Sequence, residues 1–94
     1  MAENAAAVGA YFHEKLNGLK SDFSFISEVR GKGLMQAVQL AEPKARSVQD
    51  RCFANGLVLN AIGDHIFRFL PPLNITTADV DEAIVKLRKS MQEA

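Results

Sequence analysis

Arg68 is the residue of this chain best suited, by type and setting, to hold an anion. It interrupts the apolar run Ile66-Phe67-Arg68-Phe69-Leu70-Pro71-Pro72-Leu73. A guanidinium keeps its charge at any relevant pH and is costly to bury without a partner. Strand alternation sends Phe67 and Phe69 to one face of a sheet and Ile66, Arg68 and Leu70 to the other. One face therefore reads as core. The other presents a fixed cation to a carboxylate, a phosphate or another protein surface. A strand arginine paired with a nearby Asp or Glu for structural reasons is the alternative.

Other residues capable of chemistry have settings that argue against it. Gly31-Lys32-Gly33 superficially matches a phosphate loop but lacks the Walker spacing and does not lead into a helix, so it reads as a hairpin turn. Lys32 remains a candidate for lining a domain interface. Cys52 has no second cysteine and reads as a small buried hydrophobe. His13 and His65 have no histidine or carboxylate at metal-ligand spacing and read as surface or rim residues. A Schiff-base lysine needs desolvation to lower its pKa. None of the six lysines lies in an evidently apolar stretch. No catalytic, metal or cofactor-binding residue is therefore assigned.

Three helices and four strands would position Arg68. The stripe Val8, Phe12, Leu16, widened by Tyr11, predicts a helix from about Asn4 to Asn17, with Gly18 as a left-handed cap and Leu19 folding back. Phe23 to Arg30 and Leu34 to Leu40 read as a hairpin turning at Gly31-Lys32-Gly33. Pro43 suits the first turn of a second helix running to Asn55, with Ala45, Val48 and Cys52 on one face and Gly56-Leu57 as its stop. Leu57 to Ile62 and His65 to Leu70 read as a second hairpin, joined by Gly63-Asp64 in a II′ turn. Pro71-Pro72 ends the sheet. The last helix opens at Thr76 or Thr77, with Asp79 completing a capping box, and carries the stripe Val80, Ile84, Leu87, Met91.

The order α-β-β-α-β-β-α predicts an α+β fold: a small, mostly antiparallel four-stranded sheet with three helices on one face. The face carrying Arg68 is then open. Ninety-four residues make one domain, residues 1–94, burying roughly 60–65% of the surface its unfolded chain exposes. Lysine plus arginine equals aspartate plus glutamate at 11 each, which disfavours nucleic acid as a partner. No run reaches the length of a membrane span, and Met1-Ala2-Glu3-Asn4 lacks the features of a signal peptide. With a single cysteine, the chain reads as soluble and cytoplasmic.

Several segments, in order and in register, resemble one enzyme family. Val29-Arg30-Gly31-Lys32-Gly33-Leu34-Met35 resembles the "VRGKGLM" signature near the start of the C-terminal small domain of class III aminotransferases, fold-type-I pyridoxal-phosphate enzymes such as acetylornithine and ornithine aminotransferases. Glu3-Asn4-Ala5 to Leu16 is similar to the helix leaving their large domain. Cys52 to Asn60 is similar to their "C…GLLVN" turn, Phe67 to Ile75 to "IRFLPPLNI", and Asp79 to Ile84 to the last helix. Gln36, Ala37 and Gln39 depart from the pattern, standing where the family often has an aliphatic residue, a glycine and a glutamate.

The resemblance implies that Arg68 binds the substrate α-carboxylate, a bidentate task that lysine does poorly. It also implies a parent enzyme with a large domain carrying pyridoxal 5'-phosphate, an amino-acid substrate and a homodimeric assembly. The Schiff-base lysine, the aspartate on the pyridinium nitrogen and the phosphate loop would all lie on that large domain, which 94 residues cannot contain. Met1 followed by mid-helix sequence fits an excised piece. This chain alone is expected to bind no cofactor and to be inactive. A stand-alone amino-acid-binding or assembly module using the open sheet face is the competing reading. A fragment would show apolar Ile66 and Leu70 beside Arg68; a module would bind a carboxylate ligand unaided.

Overall fold

The computed structural model describes residues 2–69, 71 and 74–94, with side chains from residue 6 onward. Seven elements follow in the expected order: α1 (Ala2–Leu19), β1 (Ile26–Lys32), β2 (Met35–Leu40), α2 (Ala45–Ala54), β3 (Asn60–Ile62), β4 (Ile66–Arg68) and α3 (Thr77–Glu93). The strands form one sheet in the order β1-β2-β4-β3, antiparallel at every pairing. The fold is α+β, with one face of the sheet covered and the other open.

Periodicity explains which residues are covered. Val8, Phe12, Leu16 and Leu19 of α1 are buried, as are Ala45, Val48 and Cys52 of α2 and Val80, Leu87 and Met91 of α3; Ile84 packs half-buried beside them. They meet Val29, Val38, Leu40, Phe67 and Phe69 from the sheet. Phe67 has no exposed surface, and burying a side chain of that size contributes about 2–3 kcal/mol. The edge of Phe12 packs on Phe69 with ring centroids 4.9 Å apart, and Phe69 meets Phe67 at 5.7 Å. Arg68 therefore lies between two residues locked into the core.

Two helix ends match the chemistry of their residues. The amide of Leu57 donates to the Cys52 carbonyl and that of Gly56 to the Phe53 carbonyl, with Gly56 at φ 86°, so α2 ends in a Schellman motif. Thr76 accepts from the Asp79 amide while the Asp79 carboxylate accepts from the Thr76 amide, completing the capping box of α3.

Several boundaries differ from expectation, β1 beginning at Ile26 rather than Phe23 and β3 at Asn60 rather than Leu57. The first helix continues through Gly18 to Leu19, and Gly18 has no positive φ, because burial of Leu19 carries the last turn into the core. The second helix begins at Ala45, leaving Pro43 outside; the Ala45 amide is satisfied across the chain by the Asp64 carbonyl at 2.9 Å. In the first hairpin Lys32 pairs with Met35, so the turn is Gly33-Leu34, with Gly33 at φ 55°, and Gly31-Lys32 belongs to β1. In the second, Ile62 pairs with Ile66, leaving the three-residue loop 63–65 rather than a two-residue II′ turn. Leu70 and the end of the double-proline stop lie outside the described residues.

Candidate functional site

The open face is arranged in cross-strand rows. Arg30 of β1 pairs with Ala37 of β2, Ala37 with Arg68 of β4, and Arg68 with Asn60 of β3. The neighbouring row runs Glu28, Gln39, Ile66, Ile62. A register shift between Ile26 and Glu28 sets this phase. Strict alternation from Ile26 would turn Glu28 inward; the extra residue brings Val29 inward instead and puts Arg30 on the same face as Arg68. The Ser27 hydroxyl holds the bulge by donating to the Gln39 carbonyl at 3.1 Å.

Arg68 is exposed, and its side chain has neither a hydrogen-bond nor an ion-pair partner among the described residues. Among the described residues no Asp or Glu neutralises it inside the domain, as the structural alternative would require. Lys20, Lys32 and Lys89 are also exposed without a side-chain partner among the described residues; Lys32 lies at the turn end of β1 and the other two outside the sheet. Arg30 differs: it donates to Gln39 Oε1 at 2.7 Å and sits 3.8 Å from Glu28. Ile66 lies half-buried in the next row, giving the expected apolar neighbour; Leu70 lies outside the described residues.

Beside Arg68 is a groove of about 610 Å³, with an apolar lining that includes Phe12, Leu59, Phe69, Ile75 and Val80. Its other charged lining groups are already engaged. Asp79 is held in the capping box, and Lys86 pairs with Glu82 at 3.0 Å and donates to the Gly56 carbonyl at 3.4 Å. Lys86 is the one lysine in the lining, and its partly exposed, ion-paired ammonium lacks the desolvation a Schiff-base lysine needs. The groove alone does not fit a pyridoxal cofactor. Among the described residues no cluster of His, Cys, Asp and Glu could hold a metal ion, and no helix is long and apolar enough to cross a membrane.

Two polar residues have roles that sequence reasoning passed over. Gln36 is almost fully buried on the core face, accepting from His13 Nδ1 at 2.7 Å and donating to the Gly33 carbonyl at 2.7 Å. His13 is therefore half-buried and tied to the hairpin, not a free rim residue. A glutamine at the inward phase of an alternating strand was the available signal. Tyr11 donates to Asp81 Oδ1, joining α1 to α3, and this hydrogen bond, with some burial, raises the phenol pKa. Cys52 is buried as expected; burial pushes its thiol pKa up, partly offset by a hydrogen bond with Ser90.

Sequence and structure comparisons agree on one relationship. The family profile described as aminotransferase class-III matches residues 1–91. Acetylornithine aminotransferase 2 of Caulobacter vibrioides is 39% identical over 93 residues, 98% of this chain and 23% of that protein. Acetylornithine aminotransferase of Elizabethkingia anophelis superposes with a TM-score of 0.91 at 27% identity, covering 98% of this chain and 25% of the other. Lysine aminotransferase of M. tuberculosis gives 0.90 at 29% identity, covering 97% and 21%. The chain thus spans less than a quarter of the length of the curated relatives it matches. With the profile matching almost end to end, and a relative 39% identical over 98% of the chain, this chain belongs to the class-III aminotransferase family.

Proposed function

We propose that residues 1–94 are the small C-terminal domain of an aminotransferase of the acetylornithine and ornithine type, and that Arg68 holds the α-carboxylate of its amino-acid substrate. The observation that carries this reading is an exposed guanidinium on the open sheet face, without a partner among the described residues and anchored on both sides by buried phenylalanines. Phe67 and Phe69 fix the backbone at Arg68, so the cation is presented at a defined position rather than on a flexible loop. Asn60, opposite Arg68 in register, adds a neutral amide that can donate to the same carboxylate. The half-buried Ile66 in the next row gives the site an apolar neighbour.

The parent enzyme then carries pyridoxal 5'-phosphate on a large domain outside these 94 residues. When bound there, the cofactor supplies the electron sink for amino-group transfer. The task of this chain is to bind and orient, holding the substrate by its carboxylate end. Association of the parent as a homodimer belongs to the same proposal.

A chimera tests the assignment. This chain replaces the 93 matching residues of the Caulobacter vibrioides enzyme, and transamination is measured with and without Arg68→Lys and Arg68→Gln. The expected result is an active chimera that loses about 1.5–3 kcal/mol of transition-state binding on either substitution, roughly 10- to 150-fold in kcat/KM. A folded chimera without activity, or Arg68 variants with unchanged kcat/KM, refutes the reading.

A further inference from the structure

Arg68 has no side-chain partner among the described residues, although an acceptor lies diagonally across the sheet from it. Gln39 of β2 is opposite Ile66 of β4 and is therefore the diagonal neighbour of Arg68, a spacing that long side chains bridge. Gln39 is equally the diagonal neighbour of Arg30 on β1, since Arg30 and Arg68 both pair with Ala37. Gln39 thus stands diagonally between two arginines whose backbone positions lie about 10 Å apart across two strand spacings. Its amide oxygen is taken by Arg30 at 2.7 Å, and Glu28, the carboxylate on the same face, also leans toward Arg30 at 3.8 Å.

We infer that Arg30 is a positioning residue: by occupying Gln39 Oε1 it keeps Arg68 from being captured within its own domain, leaving that guanidinium free for an incoming carboxylate. The inference rests on the carboxylate role proposed for Arg68 and deepens it by naming what preserves the site. Three features support it. Ala37 is small enough to leave both arginines clear of one another. Arg30 is held by the Gln39 amide as well as by Glu28, and with one carboxylate against two guanidiniums in these rows the face keeps an excess of positive charge. The bulge after Ile26 puts Arg30 on this face at all.

The test reads the arginine Nε–Hε signals of the 94-residue chain by NMR and titrates sodium acetate against sodium chloride at matched ionic strength. In the native chain the Arg68 signal is expected to show fast side-chain motion and to shift with acetate. In Arg30→Ala, Gln39 turns to Arg68, its side chain becomes ordered, and acetate binding weakens about threefold, the scale of an exposed polar pair. Arg30→Ala/Gln39→Ala has the same net charge as Arg30→Ala but no competing amide, so motion and acetate affinity return toward native values. Recovery in the double variant separates capture from simple loss of a positive charge. Arg30→Met, which keeps an apolar stem over Ala37, must reproduce Arg30→Ala if neither effect is a folding artefact. An Arg68 as mobile in Arg30→Ala as in the native chain overturns the inference, as does a double variant indistinguishable from Arg30→Ala. Absence of any acetate shift at native Arg68, with ordering still seen in Arg30→Ala, instead counts against the carboxylate role while supporting the capture it prevents.

Discussion

The same substitution at two positions of α1 is expected to have opposite effects. Gly9 faces the first hairpin so closely that a Cβ would lie 2.2 Å from the Gly33 carbonyl oxygen and 2.3 Å from its carbon. Both are backbone atoms and cannot rotate away. Ordinary contact begins near 3.4 Å, so α1 must retreat from the hairpin by about 1 Å. Overpacking of this kind costs about 1–3 kcal/mol. Retreat also strains the link from His13 through Gln36 to the Gly33 carbonyl, where each hydrogen bond is worth about 1 kcal/mol. Against this, alanine gains about 1 kcal/mol of helix propensity over glycine. The balance for Gly9→Ala is a destabilisation of about 2 kcal/mol, or roughly 10 °C in Tm for a domain of this size.

Gly18 is also helical, but a Cβ there meets nothing within 4 Å and its φ is not positive. Gly18→Ala is expected to stabilise by about 0.5–1 kcal/mol through propensity and a less flexible unfolded chain. Thermal and urea denaturation followed by circular dichroism, on both variants and the native chain, decides the matter. If Gly9→Ala is as stable as Gly18→Ala, the close approach of α1 to the hairpin is wrong, and so is the packing that orients β1 and β2.

Three further outcomes are expected. Tyr11 is the one tyrosine and there is no tryptophan, so absorbance near 295 nm titrates this phenol alone; its midpoint is to lie above that of a free tyrosine, and Asp81→Asn is to lower it. Because the folded-state pKa is raised, the stability linked to Tyr11 is fully present below pH 10, the unfolded value, and is lost as pH rises through the folded one. Cys52 is expected to resist thiol reagents in the native chain and to react only on opening of the α2–α3 contact; Ser90→Ala, by removing the bond that lowers its pKa, is to push the thiol higher still. The isolated chain mixed with pyridoxal phosphate is expected to give no stable stoichiometric Schiff-base absorbance, and the appearance of such a band would place a cofactor lysine within these 94 residues.

Local signals were legible where the chemistry was local. The capping box needs only Thr76 and Asp79 three residues apart, and the Schellman stop of α2 needs only Gly56 followed by Leu57. The apolar stripes of α1, α2 and α3 encode which side of each helix is buried, whatever it is buried against. Alternation around Phe67 and Phe69 likewise put Arg68 on the opposite face before any partner strand was known.

Other features depended on contacts between distant segments. Gly18 carries the signature of a helix stop, yet the helix continues because Leu19 finds a core to enter. Pro43 suits a first turn, but the start of α2 follows the Asp64 carbonyl from a loop some twenty residues away. Nothing in the composition of β1 announces the bulge after Ile26, which decides that Arg30 joins Arg68 on the open face. Sequence by itself determined the order of elements, their buried sides and the direction of one arginine, because each follows from residue types a few positions apart. The tertiary structure alone decided strand register, the contact at Gly9, the role of Gln36 and the exposure of Arg68. Each of these is a distance between segments, set by how the strands and helices pack rather than by any local run of residues.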